Sequence, residues 1–230
     1  MKQTVDIILC RPDERRACCA CCGAFNLRDI SRKSIMAFLK NGAKGVCSDA
    51  AERAGVLSSH PRDESAHICP FQGYTGNKEL PGCLVHPSVA GEDGRDRSLY
   101  GAEICEAFFC PAHFLLDSPA KHRLLAHVTD WYRYSIAIVD PLGFAWMLAE
   151  ARKYADGHTG GSLLEKKTAM AINAGLEMHA GFMNGIEGAL FEYSQSEYLL
   201  NYHRFSPGSG SPQTENHRRA IREMILRLLA

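Results

Sequence analysis

The chain is predicted to be mainly α, an irregular N-terminal half packed against a C-terminal helical layer. Three observations point there. All ten cysteines lie at or before Cys110. Turn-forming residues crowd positions 69–97, and the second half contains two cap-and-proline helix starts followed by apolar residues at helical spacing.

In the first half, Ile35, Met36, Phe38 and Leu39 recur at helical spacing, predicting a helix that Asp29 or Ser31 caps and Gly42 ends. Gly73, Gly76, Asn77, Pro81, Gly82, Pro87, Gly91 and Gly94 then prevent long regular elements. A second helix is expected over 98–109, where Leu99, Ala102, Cys105 and Phe109 share a face and Pro111 stops the run. In the second half, Ser118 before Pro119 and Asp140 before Pro141 predict two helix starts. A third pattern covers 163–183 through Leu164, Ala171, Leu176 and Met178, and Gly181, Gly185 and Gly188 predict close packing beside it. Shorter segments follow over 188–202. After a Gly/Ser/Pro connector at 206–212, a last helix over 214–229 places Ile221, Ile225, Leu228 and Leu229 on one side. The division is a cysteine-rich region at 1–117 and a helical scaffold at 118–230, joined in one compact unit. No internal repeat at a solenoid period is visible.

With 230 residues, 46% of them hydrophobic, the chain can bury a sizeable core without staples. Basic and acidic residues both number 26, so no positive field exists to attract a nucleic acid backbone. The longest apolar run, 134–149, is interrupted by Asp140 and Pro141 and falls short of the roughly 18 positions of a membrane span. The apolar patch at 5–9 is too brief for a secretory signal, so a cytoplasmic location is expected.

Cysteines in that reducing compartment point to metal binding or redox chemistry. The densest string is Cys18-Cys19-Ala20-Cys21-Cys22-Gly23, with two interleaved pairs separated by two residues, a spacing that aims two thiolates at one ion. Adjacent side chains diverge, so the string supplies two sites or leaves thiols spare. Further candidates are Cys69-Pro70-Phe71, Cys83 with His86, Cys105, and Cys110 with His113. The two Cys-x-x-His pairs suit zinc, and a selection of cysteines alone suits an iron–sulfur cluster. The number of thiolates exceeds what zinc needs, so the iron–sulfur cluster is the first expectation and zinc the alternative. Either would staple the irregular half. Cys10 and Cys47 stand alone and read as packing residues.

These motifs resemble the YkgJ-like cysteine-cluster family, zinc- or iron-chelating and related to flagellin lysine methylases. That family's mark is a Cys-x-x-Cys-x-x-Cys-Cys string, a Cys-Pro-Phe segment, a cysteine followed closely by an aromatic residue, and a further cysteine. Cys18, Cys21 and Cys22 match the end of the string, Cys69-Pro70-Phe71 the second element, Cys83 the third, and Cys105 or Cys110 the last. Arg15 stands in place of the first cysteine, Cys19 is an addition, and His86 stands where the aromatic is expected. The resemblance spans residues 15–113.

Other constellations are weaker. Cys110 and His113 as a nucleophilic dyad need more assumptions than a ligand pair. His122, His127, His158, His179, His203 and His217 lack helical ligand spacing and read as surface or core residues. Glu177, His179, Glu187, Glu192, Tyr193, Glu197 and Tyr198 lining a pocket between helices is a minority reading. No phosphate loop is present. The functional expectation is a metal-centre protein whose helical layer serves as scaffold, as surface for a protein partner, or as a small-molecule site. The alternatives are a structural zinc protein and an enzyme using an open coordination position. The family resemblance implies methyl transfer from S-adenosylmethionine as one version of that enzyme.

Overall fold

The computed structural model describes residues 7–44, 62, 67–76, 80–155, 161–201 and 211–230. Cys47, His158, His203 and positions 206–210 of the expected connector lie outside them. The fold is mainly helical. A 3-10 turn at Ala24–Asn26 precedes α1 (Arg32–Lys44), and a hairpin of β1 (Gln72–Thr75) and β2 (Leu80–Cys83) pairs Gln72 with Cys83. Then come α2 (Pro87–Ala90), a second 3-10 turn at Arg95–Arg97, α3 (Gly101–Ala107), α4 (Pro111–Leu115) and α5 (Ser118–His127). The last helices are α6 (Trp131–Val139), α7 (Pro141–Ala155), α8 (Gly161–Asn184), α9 (Gln195–Asn201) and α10 (Pro212–Leu229). No helix among the described residues is long and apolar enough to cross a membrane.

Local chemistry explains the helix starts. Ser31 Oγ accepts from Ser34 N at 3.4 Å to open α1. Asp117, one residue before the expected Ser118, caps α5 by accepting from Ala120 N at 2.8 Å. Asp140 accepts from Gly143 N at 2.9 Å and so caps α7, with Pro141 at its first position.

Several expectations need correction. Gly42 does not end α1; the helix continues to Lys44, and Gly42 is the point where it crosses β1, since a Cβ there would lie 1.7 Å from the Gln72 carbonyl oxygen. The proposed apolar face of the 98–109 helix is not buried. Leu99 and Phe109 are exposed, and α3 is only seven residues long with no buried residue. Gly181 faces open space and Gly185 meets only the Phe182 carbonyl, whereas the close approach is at Gly175, against Met147. Gly188 instead takes a left-handed turn at φ 79°. The hairpin and α6 were not foreseen. α6 is buried nearly all round.

One core runs through both halves. Leu9, Phe25, Ile30, Ile35 and Leu39 from the first join Leu124, Tyr134, Ile136, Phe144, Leu176 and Ile225 from the second. α8 and α10 make the most extensive helix pair, as the Ile221, Ile225 and Leu229 face of α10 requires. A small separate cluster of Cys69, Phe71 and Val85 sits under the hairpin, with Cys22, Cys83 and Tyr100 packed against it.

A buried polar chain ties α7, α8, α9 and α10 together. His179 Nε2 bonds Asp140 Oδ2 at 2.8 Å, His179 Nδ1 bonds His217 Nε2 at 3.0 Å, and Tyr198 donates to Asp140 Oδ1 at 2.5 Å. Burial raises the Asp140 carboxyl, but the hydrogen bond and charge of His179 and the Tyr198 hydroxyl outweigh it, leaving it below the usual carboxylate range. Burial, then the charges of His179 and Arg218, push the His217 imidazole down to about 3.

Two outcomes follow. Gly42→Ala should cost about 3 kcal/mol in urea unfolding, because the new methyl meets backbone rather than a movable side chain. Both shifts in the polar chain are depressions, so their stabilisation is complete above the unfolded values and is lost as pH falls. Unfolding free energy should therefore decline as pH drops from 6.5 towards about 3; His217→Gln should flatten that decline, whereas Asp140→Asn should leave it in place while costing about 3 kcal/mol at neutral pH.

Candidate metal centre

The segment before α1 is shaped by anchors on the C-terminal helices. Arg16 Nε donates to the Val128 carbonyl at 2.9 Å, and the same guanidinium reaches Leu125 O and Asp13. Tyr134 OH donates to Leu9 O at 2.9 Å. Between these anchors, Cys18 N donates to Cys10 O at 2.9 Å, closing residues 10–18 into a turn that sets the two cysteines side by side.

The Cys18-to-Cys22 string then turns sharply. Cys19 faces inward, its N and Sγ lying 3.3 and 3.7 Å from Ser135 Oγ. Gly23 adopts φ 94°, and a Cβ there would stand 2.0 Å from the His67 carbonyl oxygen. That close pass lets Cys69 N donate to Cys22 O at 2.8 Å, joining two strings 47 positions apart in number. The hairpin carries Cys83 back beside them, and Cys105 on α3 lies 3.4 Å from Ser98 Oγ.

All nine described cysteines are free thiols. Cys10, although exposed as a residue, has its thiol pushed up to about 12 by burial of the sulfur and by repulsion from Cys21 and Cys110. Burial and repulsion from Cys19, Cys21 and Cys110 drive Cys18 well above the ordinary value. Burial also raises Cys110 to about 11, Cys21 adding repulsion. Cys22 donates to the Cys21 sulfur, which holds Cys21 below the usual thiol value and lifts Cys22 far above it; burial and repulsion from Cys69 and Cys83 lift Cys22 further. Cys69 and Cys83 are raised first by burial, and each is repelled by Cys105.

The expected histidines stand apart from these contacts. His86 caps α2, its Nδ1 accepting from Ser88 N at 3.2 Å. His113 lies on α4 with its ring centroid 4.6 Å from Phe109 and 5.4 Å from Phe114. Cys10, read from sequence as packing, lies among the thiols, and no spacing signal marked it. Tyr100 and Tyr193, joined hydroxyl to hydroxyl at 2.7 Å, border Cys22 and Cys69.

As positioned, no three or more His, Cys, Asp or Glu among the described residues form a group that could hold a metal ion. The donor chemistry suits one nonetheless: soft sulfurs, buried together and mutually repelling once ionised, are what a cation stabilises. A second observation concerns Gln72. It is buried, neither end of its amide has a hydrogen-bond partner among the described residues, and it lies directly across the hairpin from Cys83, on the same face. A sulfur-rich centre beside Cys83 would supply that amide with an acceptor.

No family model matches the chain, and no curated protein or solved structure matches it. Gly23→Ala should lower the melting temperature and speed the reaction of thiols with a chromogenic disulfide, because it forces the Cys22 string away from Cys69. A variant as stable and as slowly modified as wild type would show that the join does not govern thiol burial.

Proposed function

We propose that the chain is a cysteine-ligated metal-centre protein and that its centre is an iron–sulfur cluster. The observation that carries this reading is the joining of free thiols from remote strings, with Cys69 N bonded to Cys22 O at 2.8 Å and Cys22 and Cys83 packed against the buried Cys69. Cluster iron is held by deprotonated cysteines, and several thiols within reach of one another are what such a centre requires. Bound there, the cluster would supply a redox centre or a rigid staple. The protein's own contribution is to position the thiols through Gly23, Arg16 and the hairpin, and to exclude water through Tyr100, Tyr193 and Phe71.

Zinc is the second reading. It is favoured by the Cys83/His86 and Cys110/His113 pairs, each folded into one turn by a backbone hydrogen bond, at 3.4 Å and 2.9 Å. Free thiols at this density belong in a reducing compartment, so we assign the protein to the cytoplasm. The family reading, a YkgJ-like cysteine-cluster protein, rests on the sequence motifs.

Protein purified anaerobically should be brown and contain iron and acid-labile sulfide; colourless protein with stoichiometric zinc and no iron would select the second reading. Removal of the metal by a chelator should speed hydrogen exchange over residues 67–76 and 80–97 while α6, α8 and α10 keep their protection. Equal loss in all of them would show that the centre does not act as a local staple.

A further inference from the structure

We propose that residues 93–108, which carry α3, form a lid over Cys22, Cys69 and Cys83, latched by the hydroxyl pair of Tyr100 and Tyr193. The lid governs access to these sulfurs whether or not they hold a metal.

The segment is bonded chiefly to itself. Arg95 pairs with Asp93 at 2.7 Å and reaches Glu106 at 3.8 Å. Asp96 Oδ1 accepts from Ala102 N at 3.2 Å, and Ser98 Oγ accepts from Gly101 N at 3.1 Å and lies 3.4 Å from Cys105 Sγ. These bonds join the 3-10 turn at Arg95–Arg97 to α3, so the two move as one body. That body is weakly held to the rest. α3 buries no residue and, among the described elements, packs substantially only on the 3-10 turn before it. Leu99 and Ile104 are 51% and 57% exposed, so the apolar burial that ordinarily fixes a helix is missing.

What the segment does touch is the thiol cluster. Tyr100 packs against the group of Cys69, Phe71 and Val85, on which Cys22 and Cys83 also pack. The Leu99 N–H donates to the Cys69 sulfur, and the Arg97 guanidinium stands 6.0 Å from the centre of the Phe71 ring. Cys69 is buried there, and Cys22 and Cys83 are half-buried. Among the described residues a single side-chain hydrogen bond, between the Tyr100 and Tyr193 hydroxyls at 2.7 Å, ties 93–108 to the remainder of the chain. Tyr193 is a fixed post, its ring edge-on to the buried Phe191 at 5.1 Å, and Phe108 packs on the same ring at 6.0 Å. At the two ends, Gly94 N donates to Val85 O at 3.0 Å and Cys110 enters the main core. The segment hangs between these anchors and closes on one post, so it opens when the tyrosine pair and the contacts to the cluster part.

The test is hydrogen exchange of the full native chain, joined to the alkylation rate of each cysteine by iodoacetamide. Rates are read by mass spectrometry and taken relative to wild type in the same preparation. In wild type the amides of α3 should exchange faster than those of β1 and β2; equal protection would overturn the lid. Tyr100→Phe and Tyr193→Phe keep the rings and remove the bond. Each should speed alkylation of Cys22, Cys69 and Cys83 roughly fivefold, the effect of one lost hydrogen bond on an opening equilibrium, and leave Cys18 and Cys110 within about twofold. The double variant should add nothing further, since both changes remove the same bond. Unchanged rates at the three cysteines in both variants would overturn the latch. Equal acceleration at Cys18 and Cys110 would show general loosening and overturn the lid, and a double variant that multiplies the two effects would overturn the pairing. The wild-type exchange pattern is decisive even where a variant fails to fold. None of these outcomes depends on metal content, so the lid and the metal-centre reading stand or fall separately.

Discussion

The backbone hydrogen bond from Cys69 to Cys22 is the join on which the cysteine region depends. It forms only because Gly23 takes a left-handed turn and lets the chain pass within van der Waals contact of His67 and Ile68, where any β-carbon would collide with backbone. On one side of that join the chain runs back through Cys18 to the turn at Cys10; on the other it runs forward into the hairpin that returns Cys83. A single glycine therefore sets the distance between two strings that are remote in sequence. Without it the thiols would be a list of positions rather than a neighbourhood.

The helices beyond Ser118 act as a clamp on this irregular chain. Val128 and Leu125 at the end of α5 hold Arg16, Tyr134 on α6 holds Leu9, Ser135 holds Cys19, and Tyr193 holds Tyr100. Asn26 Oδ1 accepts from Leu190 and Phe191 and fixes the end of the cysteine string against the segment after α8. These contacts use carbonyls and hydroxyls at helix ends and on helix faces, so the scaffold supplies hydrogen bonds that loop residues cannot supply to one another. The apolar core is shared for the same reason: a segment as broken by turns as 7–31 cannot bury enough surface alone to offset its ordering entropy.

What the sequence displayed and what it hid follow from range of interaction. Helix starts at Asp140-Pro141, Ser31 and the region of Ser118 were legible because capping is local, and the apolar stripe of α10 was legible because one face is wet. α6 escaped because its short apolar run was read together with the segment after Asp140 and Pro141 rather than as a helix of its own. Gly42 was misread as a terminator because only the position of β1, thirty residues on, explains why that site tolerates no side chain. In the candidate centre, the structure joins the Cys18-to-Cys22 string to Cys69 and packs Cys83 beside it. Spacing did not show that the Cys19 sulfur faces Ser135 or that Cys10 is turned beside Cys18, because both depend on side-chain and chain direction. The Asp140, His179, Tyr198 and His217 chain was unreadable because it draws on four helices and has no sequence signature.

That polar chain bears on how scaffold and centre relate. It lies among α7, α8, α9 and α10, on elements that carry no cysteine, and it satisfies the buried Asp140 carboxylate with the His179 imidazole, the Tyr198 hydroxyl and a helix N-terminal amide. A carboxylate buried without such partners would cost several kcal/mol, so the helical layer has its own internal reason to adopt one packing. In the thiol region the buried Arg16 is satisfied by Val128 O, Leu125 O and Asp13, whereas the buried Gln72 amide has no hydrogen-bond partner among the described residues. The helical layer is thus held by its own side chains, whereas the cysteine region is shaped largely by contacts to that layer. The partnerless Gln72 amide beside Cys83, together with the gathered thiols, is, more than the count of cysteines, the physical ground of the metal-centre proposal.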